Sequence, residues 1–307
     1  MNAKDKQGVS YSELIRQLRL PDCFNDVLSD TYLPLSKIIM DKKREQLSPL
    51  LVSINGAQGT GKSTMTRFLK CIIEAESNCN VVELSLDDFY LTRKEREVLA
   101  EKIHPLLKTR GVPGTHDVGL LEHVLDKLLT QQSCKIPRFD KASDDRCETD
   151  ACPVQEEPVD IILFEGWCNN SPAQSEQELI PAVNELEKKE DASGVWRSYV
   201  NEQLIDYQKR IFDQADMCLM LKANDFDSVY QWRSLQEQKL MASAFAAGKQ
   251  HVMNDVELKR FVQHFERISR HTLKHLPAVA DVVLPVAEDH SIVGVKLKEI
   301  AEHLVSK

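Results

Sequence analysis

Residues 56–63 read Gly-Ala-Gln-Gly-Thr-Gly-Lys-Ser, with the apolar run Leu51 to Asn55 before them and the helix-spaced Met65, Phe68, Leu69 and Ile72 after. A strand, a glycine-rich turn and a helix in that order make a phosphate-binding loop: the glycines permit the tight turn, and backbone N–H groups at the helix N-terminus face the anion. In such a loop Lys62 reaches the β- and γ-phosphates and the Ser63 hydroxyl holds Mg²⁺, while Gly56, Ala57, Gln58, Gly59, Thr60, Gly61 and Thr64 complete the nucleotide contact.

A second chemical group stands at Leu84-Ser85-Leu86-Asp87-Asp88-Phe89-Tyr90, where a predicted strand ends in two carboxylates. Placed beside the strand that feeds the phosphate loop, a carboxylate there accepts the proton of a hydroxyl attacking the γ-phosphate. Asp87 is the candidate base and Tyr90 a neighbour on the acceptor side. Asp88 is either its support or a ligand to Mg²⁺ water, and both acids also suit helix N-caps. Glu165, ending the apolar run Ile161 to Phe164, is a second candidate for orienting Mg²⁺ or its water shell. Trp167 reads as core or pocket wall.

Cationic residues suited to an anionic acceptor follow. Arg110 opens a glycine-proline loop that runs to His116 and Asp117, which alternatively are a satisfied loop histidine and a helix cap. Arg138 and Lys141, followed by Arg146, form a cluster able to grip a carboxylate, or else surface ion pairs with Asp140, Asp144 and Asp145. Arg233, in the helical pattern over 225–247, is placed to close over the phosphates as a catalytic lid residue.

The elements that must position these groups are legible as five near-continuous apolar runs, at 51–55, 81–86, 159–164, 217–221 and 281–286, separated by helix-patterned sequence. That alternation predicts an α/β fold: a P-loop NTPase-type parallel sheet with helices on both faces. Residues 1–48 read as an N-terminal helical pad broken at Pro21 and Pro34. Residues 49–307 read as the nucleotide- and acceptor-binding core, within one domain spanning 1–307. Two excursions interrupt the core: a polar surface loop at 140–158 and a helical insertion at 169–198, whose charge run around Glu185–Asp191 reads as a solvated face.

Composition narrows the function classes. The chain has 307 residues, 42% hydrophobic, enough for a substantial core. Its 39 basic and 48 acidic residues sum to −9, which argues against nucleic acid or an acidic membrane as partner. Eight cysteines without a C-x-x-C pair read as reduced thiols, and no signal-like or membrane-length apolar segment stands out, so a soluble cytoplasmic enzyme is expected.

Six motifs in register resemble the plant and fungal D-glycerate 3-kinases, a branch of the superfamily shared with uridine kinase, phosphoribulokinase and bacterial pantothenate kinase. They are the loop at 56–63, Ser-x-Asp-Asp-Phe-Tyr-Leu-Thr at 85–92, Arg-Gly-x-Pro-Gly-Thr-His-Asp at 110–117, Pro-Arg-Phe-Asp-Lys at 137–141, Phe-Glu-Gly-Trp at 164–167 and Tyr-x-Trp-Arg at 230–233. The resemblance implies Mg²⁺-dependent transfer of the ATP γ-phosphate to a hydroxyl of D-glycerate. It also implies Lys62 and Ser63 at phosphate and metal, Asp87 as base, Glu165 on the metal side, and His116, Asp117, Arg138 and Arg146 at a small-molecule acceptor. A pantothenate-like or uridine-like acceptor is the alternative. An acceptor-independent nucleotide switch lacks support, because no Asn-Lys-x-Asp or Leu-Ser-Gly-Gly-Gln run occurs.

Overall fold

The computed structural model describes residues 10–21, 24–235 and 253–298. Helix α1 (Tyr11–Gln17) starts on a Ser10 cap and ends before Pro21. Helix α2 (Phe24–Val27) then continues through a π-helical turn at Leu28–Tyr32 into α3 (Leu33–Arg44). The break expected at Pro34 does not occur. Pro34 falls in the first turn of α3, and the wider turn before it accommodates a ring that an uninterrupted α-helix would reject.

The chain then runs β1 (Leu50–Gly56), α4 (Lys62–Glu76), β2 (Val81–Ser85), α5 (Arg93–Lys102) and α6 (Val118–Leu129). Four two-residue strands follow, β3 (Cys134–Lys135), β4 (Phe139–Asp140), β5 (Asp145–Arg146) and β6 (Val154–Gln155), so the expected surface loop holds two small ribbons, β3–β6 and β4–β5. Next come β7 (Ile161–Gly166), the inserted helices α7 (Glu176–Leu179) and α8 (Glu185–Glu190), α9 (Val195–Arg210) and β8 (Met217–Ala223). Residues 226–235 are helical, and α10 (Asp255–His275), β9 (Val282–Val286) and β10 (Lys296–Leu297) complete the described chain.

The main sheet has the order β10-β9-β8-β1-β7-β2, parallel throughout except for the antiparallel edge strand β10. One expectation is corrected here: β2 is not the neighbour of β1, because β7 lies between them. Burial accounts for the order. Every residue of β1 and β7 is buried, whereas Glu83 and Ser85 of β2 are partly exposed and suit the edge.

Strand alternation sorts the core into two layers. Leu50, Val52, Ile54, Ile161 and Leu163 pack with the N-terminal helices and α4, so the pad covers one face of the sheet. Leu51, Val82, Leu84, Ile162 and Phe164 pack with α6 and α9 on the other. Among the described residues no helix is long and apolar enough to cross a membrane.

The solvated face expected for the charge run of the insertion is only partly found. Lys188 and Glu185 pair at the surface, but Glu187 and Asp191 are fully buried and pair with Arg267 and Arg197. Arg267 lies on α10, a helix whose position the local sequence of the insertion does not reveal.

Candidate active site

The phosphate loop ends at Gly61, whose φ of 90° lies in the left-handed region that a side chain disfavours. No side chain caps α4, so the first-turn N–H groups from Lys62 onward are free for an anion. Lys62 Nζ donates to Ala57 O at 3.1 Å within the same loop. Burial pulls its pKa below the ordinary value, opposed by the nearby carboxylates of Glu165 and Asp87.

Register brings three oxygen-bearing side chains together beside the phosphate loop. Glu165 stands opposite Ile54 of β1 and Ser85 of β2. Its Oε1 accepts from Ser63 Oγ at 2.9 Å and from Ser85 Oγ at 2.9 Å. A buried carboxylate converging with two hydroxyls is an all-oxygen donor set, which is what Mg²⁺ selects. Ser85 was not singled out from the sequence; its position four strand residues along from Val81, on the face of Glu165, emerges only with the β2–β7 register.

Asp87 sits in a 3₁₀ turn, Leu86–Phe89, at the carboxyl end of β2. Its Oδ1 accepts from Tyr90 OH at 2.7 Å, and its Oδ2 pairs with Lys141 Nζ at 2.6 Å. Burial tends to raise its pKa, but the Lys141 charge and the two hydrogen bonds outweigh burial and hold it at about 2. Lys141 lies in the turn between β4 and β5, and sequence reasoning placed it only in a general cationic cluster.

Asp88 is committed differently from the expected metal role. Its Oδ2 accepts from Arg138 at 2.8 Å and its Oδ1 from the Phe139 N–H at 3.1 Å, so it fastens β4 to the end of β2. Arg138 and Arg110 both line the cleft; Arg110 pairs with Asp144 and lies over the Phe139 ring at 5.5 Å.

Three residues expected at the acceptor stand behind the cleft wall rather than on it. Asp117 caps α6 by accepting from Leu120 N at 2.9 Å and pairs with Arg146 at 2.9 Å. Arg146 also donates to Tyr90 O at 2.8 Å. His116 is 4% exposed, stacked on Tyr90 at 4.6 Å between ring centroids, with Nδ1 3.0 Å from Tyr207 OH. His116 and Arg146 thus contact Tyr90 from behind, Asp117 holds Arg146, and of the 110–117 loop Arg110 is the residue that lines the cleft.

These groups surround a cleft of about 800 Å³ at the carboxyl ends of β1, β2 and β7, within the range that holds small ligands. Gln58, Gly59, Lys62 and Ser63 form one side, Asp87, Tyr90 and Lys141 another, and Trp167, Phe261 and Phe265 an apolar wall. Trp167 is anchored by its Nε1 donating to Gly111 O at 2.8 Å, and Phe265 meets its ring edge-on at 5.0 Å. Arg233 lines the opening with its guanidinium 5.6 Å from the Phe261 ring. The rest of the helix expected over 225–247 lies outside the described residues beyond 235.

No family model matches the chain. It is 32% identical over 239 residues to an uncharacterized kinase, mug58, of Schizosaccharomyces pombe, covering 75% of this chain and 83% of that one. It is 29% identical over 238 residues to the chloroplastic D-glycerate 3-kinase of Arabidopsis thaliana, covering 73% of this chain and 48% of the plant protein. In fold it matches the D-glycerate 3-kinase of Cryptococcus neoformans with a TM-score of 0.72 at 23% identity, over 87% of this chain and 98% of that one. The phosphate loop, the oxygen-lined cleft beside it and these relationships agree: the chain belongs to the P-loop kinases of the D-glycerate 3-kinase type, ATP-dependent phosphotransferases.

Proposed function

We propose that this kinase uses ATP and Mg²⁺ to phosphorylate a hydroxyl of D-glycerate, giving 3-phosphoglycerate. One observation carries the reading: Asp87 shares the cleft with the phosphate loop and with the cations Lys141, Arg138 and Arg110, and pairs directly with Lys141. A small hydroxy acid matches that arrangement, its hydroxyl at Asp87 and its carboxylate at the cations. Lys141 is the exchangeable member, since its side chain is 61% exposed and a substrate carboxylate can replace Asp87 as its partner. The plant relative, a D-glycerate 3-kinase, supports the same acceptor.

Ser63 and Glu165 would hold Mg²⁺, which would supply positive charge against the transferring phosphate. Lys62 and the first-turn N–H groups of α4 hold the phosphates in place, and Arg233 adds positive charge from the opening. The acceptor oxygen bonds to the γ-phosphorus as the bond to the ADP oxygen breaks, and the hydroxyl proton passes to Asp87. A carboxylate with a pKa of about 2 is a weak base, but phosphoryl transfer through a loose transition state demands little proton pull before bond formation. Orienting the hydroxyl is then the larger part of what Asp87 does. The seven described cysteines form no disulfide, which favours a cytoplasmic setting.

The test is ADP release measured with D-glycerate, pantothenate, uridine and ribulose 5-phosphate in parallel. D-Glycerate should give the highest kcat/KM. A clear preference for pantothenate or uridine would transfer the assignment to that acceptor, and ADP release without any acceptor would remove the kinase reading of Asp87.

A further inference from the structure

Away from the cleft, among the described residues, one group of metal-ligating side chains converges: Glu178 of α7 with His271 and His275 of α10. One ligand atom from each lies within 4.8 Å of the others. The histidines are one helical turn apart, so they share a face of α10, and their ring centroids are 4.3 Å apart. Glu178 Oε1 is 3.8 Å from His271 Nδ1, too far for a hydrogen bond.

Two further observations point to a ligand. His275 Nε2 is buried and has no hydrogen-bond partner, a state that costs free energy unless something completes it. Glu178 is also fixed from behind. Its Oε2 is held by Ser175 N and Oγ at 2.9 and 2.8 Å in a capping box, which leaves Oε1 toward His271. Its backbone carbonyl accepts from Arg267 at 3.0 Å, and Arg267 is one turn before His271 on the same helical face. The backbone of Glu178 is thus tied to α10 by a buried arginine, and its half-exposed carboxylate is turned toward the histidine pair by the capping box.

We propose that Glu178, His271 and His275 bind a Zn²⁺-class divalent cation that clips the inserted helix α7 to α10. Two imidazoles and one carboxylate suit zinc and its transition-metal neighbours, whereas Mg²⁺ prefers all-oxygen sets. Ligand atoms around tetrahedral zinc are roughly 3.4 Å apart, so binding draws the three side chains inward by small rotations. Water takes the fourth position. Since α10 also carries Phe261 and Phe265 to the cleft wall, the cation braces the far end of a helix that shapes the active site.

The experiment is titration of chelator-treated full-length protein with ZnCl₂ by calorimetry, with thermal unfolding followed in parallel. Wild type should bind one equivalent through this site, and zinc should raise its Tm. His271→Ala and His275→Ala should lose that equivalent and the Tm shift. Glu178→Gln keeps an oxygen for the capping box and should bind about tenfold more weakly. Millimolar MgCl₂ should not compete. Absence of zinc binding at micromolar concentration, or equal binding by wild type and the three variants, for instance through cysteines elsewhere, overturns the proposal.

Discussion

Asp87 is held by two donors, Tyr90 and Lys141, whose removal should have different signatures. Asp87→Asn removes the proton acceptor while keeping its size and its bond from Tyr90. We expect kcat to fall by about 10²–10⁴, with ATP affinity nearly unchanged, as stopped-flow turnover and nucleotide titration would show. A loss confined to ATP affinity would reassign Asp87 to the nucleotide. Lys141→Met keeps the stem and deletes the charge. If Lys141 holds the acceptor carboxylate, KM for the acceptor rises by about tenfold or more, the worth of one charged hydrogen bond. The same substitution lets the Asp87 pKa rise from about 2, so the acid limb of kcat/KM moves to higher pH. An unchanged KM together with a shifted acid limb would make Lys141 a positioning residue for Asp87 and not an acceptor ligand.

At the scale of elements, what the sequence reveals depends on whether a signal is local. The strands at β1, β2, β7, β8 and β9 fall within two residues of the apolar runs, because a buried parallel strand is a continuous local pattern. The strand order is not local, so β7 between β1 and β2 was not legible, and with it the convergence of Ser63, Ser85 and Glu165. The misplaced acceptor residues show the same limit: the motif at 110–117 announces function, but which side chain faces the cleft is decided by packing of His116 against Tyr90 and Tyr207. Helix α8 gives a direct measure of how misleading a charge run can be. Glu187, buried and bidentate with Arg267 at 2.7 and 2.6 Å, and Glu185, exposed, are two residues apart. Neutralising the first strands a buried guanidinium, and Glu187→Gln should cost about 3 kcal/mol in urea unfolding. Glu185→Gln should change stability by less than about 0.5 kcal/mol. Equal small losses for both would mean that Arg267 finds sufficient partners in the backbone of the insertion alone.

For the whole molecule, buried histidines couple the packing of the site to pH. His116 is pulled down to about 4 by burial, partly opposed by Asp87, and His264 to about 4 by burial and the Arg260 charge, partly opposed by backbone carbonyls. Each is neutral in the folded protein at pH values where the unfolded chain, with an ordinary imidazole near 6.5, already takes up a proton. Their contribution is complete above about pH 6.5 and is lost as pH falls toward 4, at most about 1.4 kcal/mol per histidine per pH unit. Carboxylates with lowered values, Asp87 among them, weaken the fold only at more acid pH, and Asp88, raised by burial, acts in the opposite sense there. Between pH 6.5 and 5 the histidines therefore set the slope. Urea unfolding at several pH values across that window should show stability falling steadily with acid. His116→Gln should reduce the slope by the share of one histidine, whatever it does to absolute stability. A flat profile for wild type, or an unaltered slope in the variant, would mean that acid opens the wall behind Tyr90 and hydrates His116 without unfolding the chain.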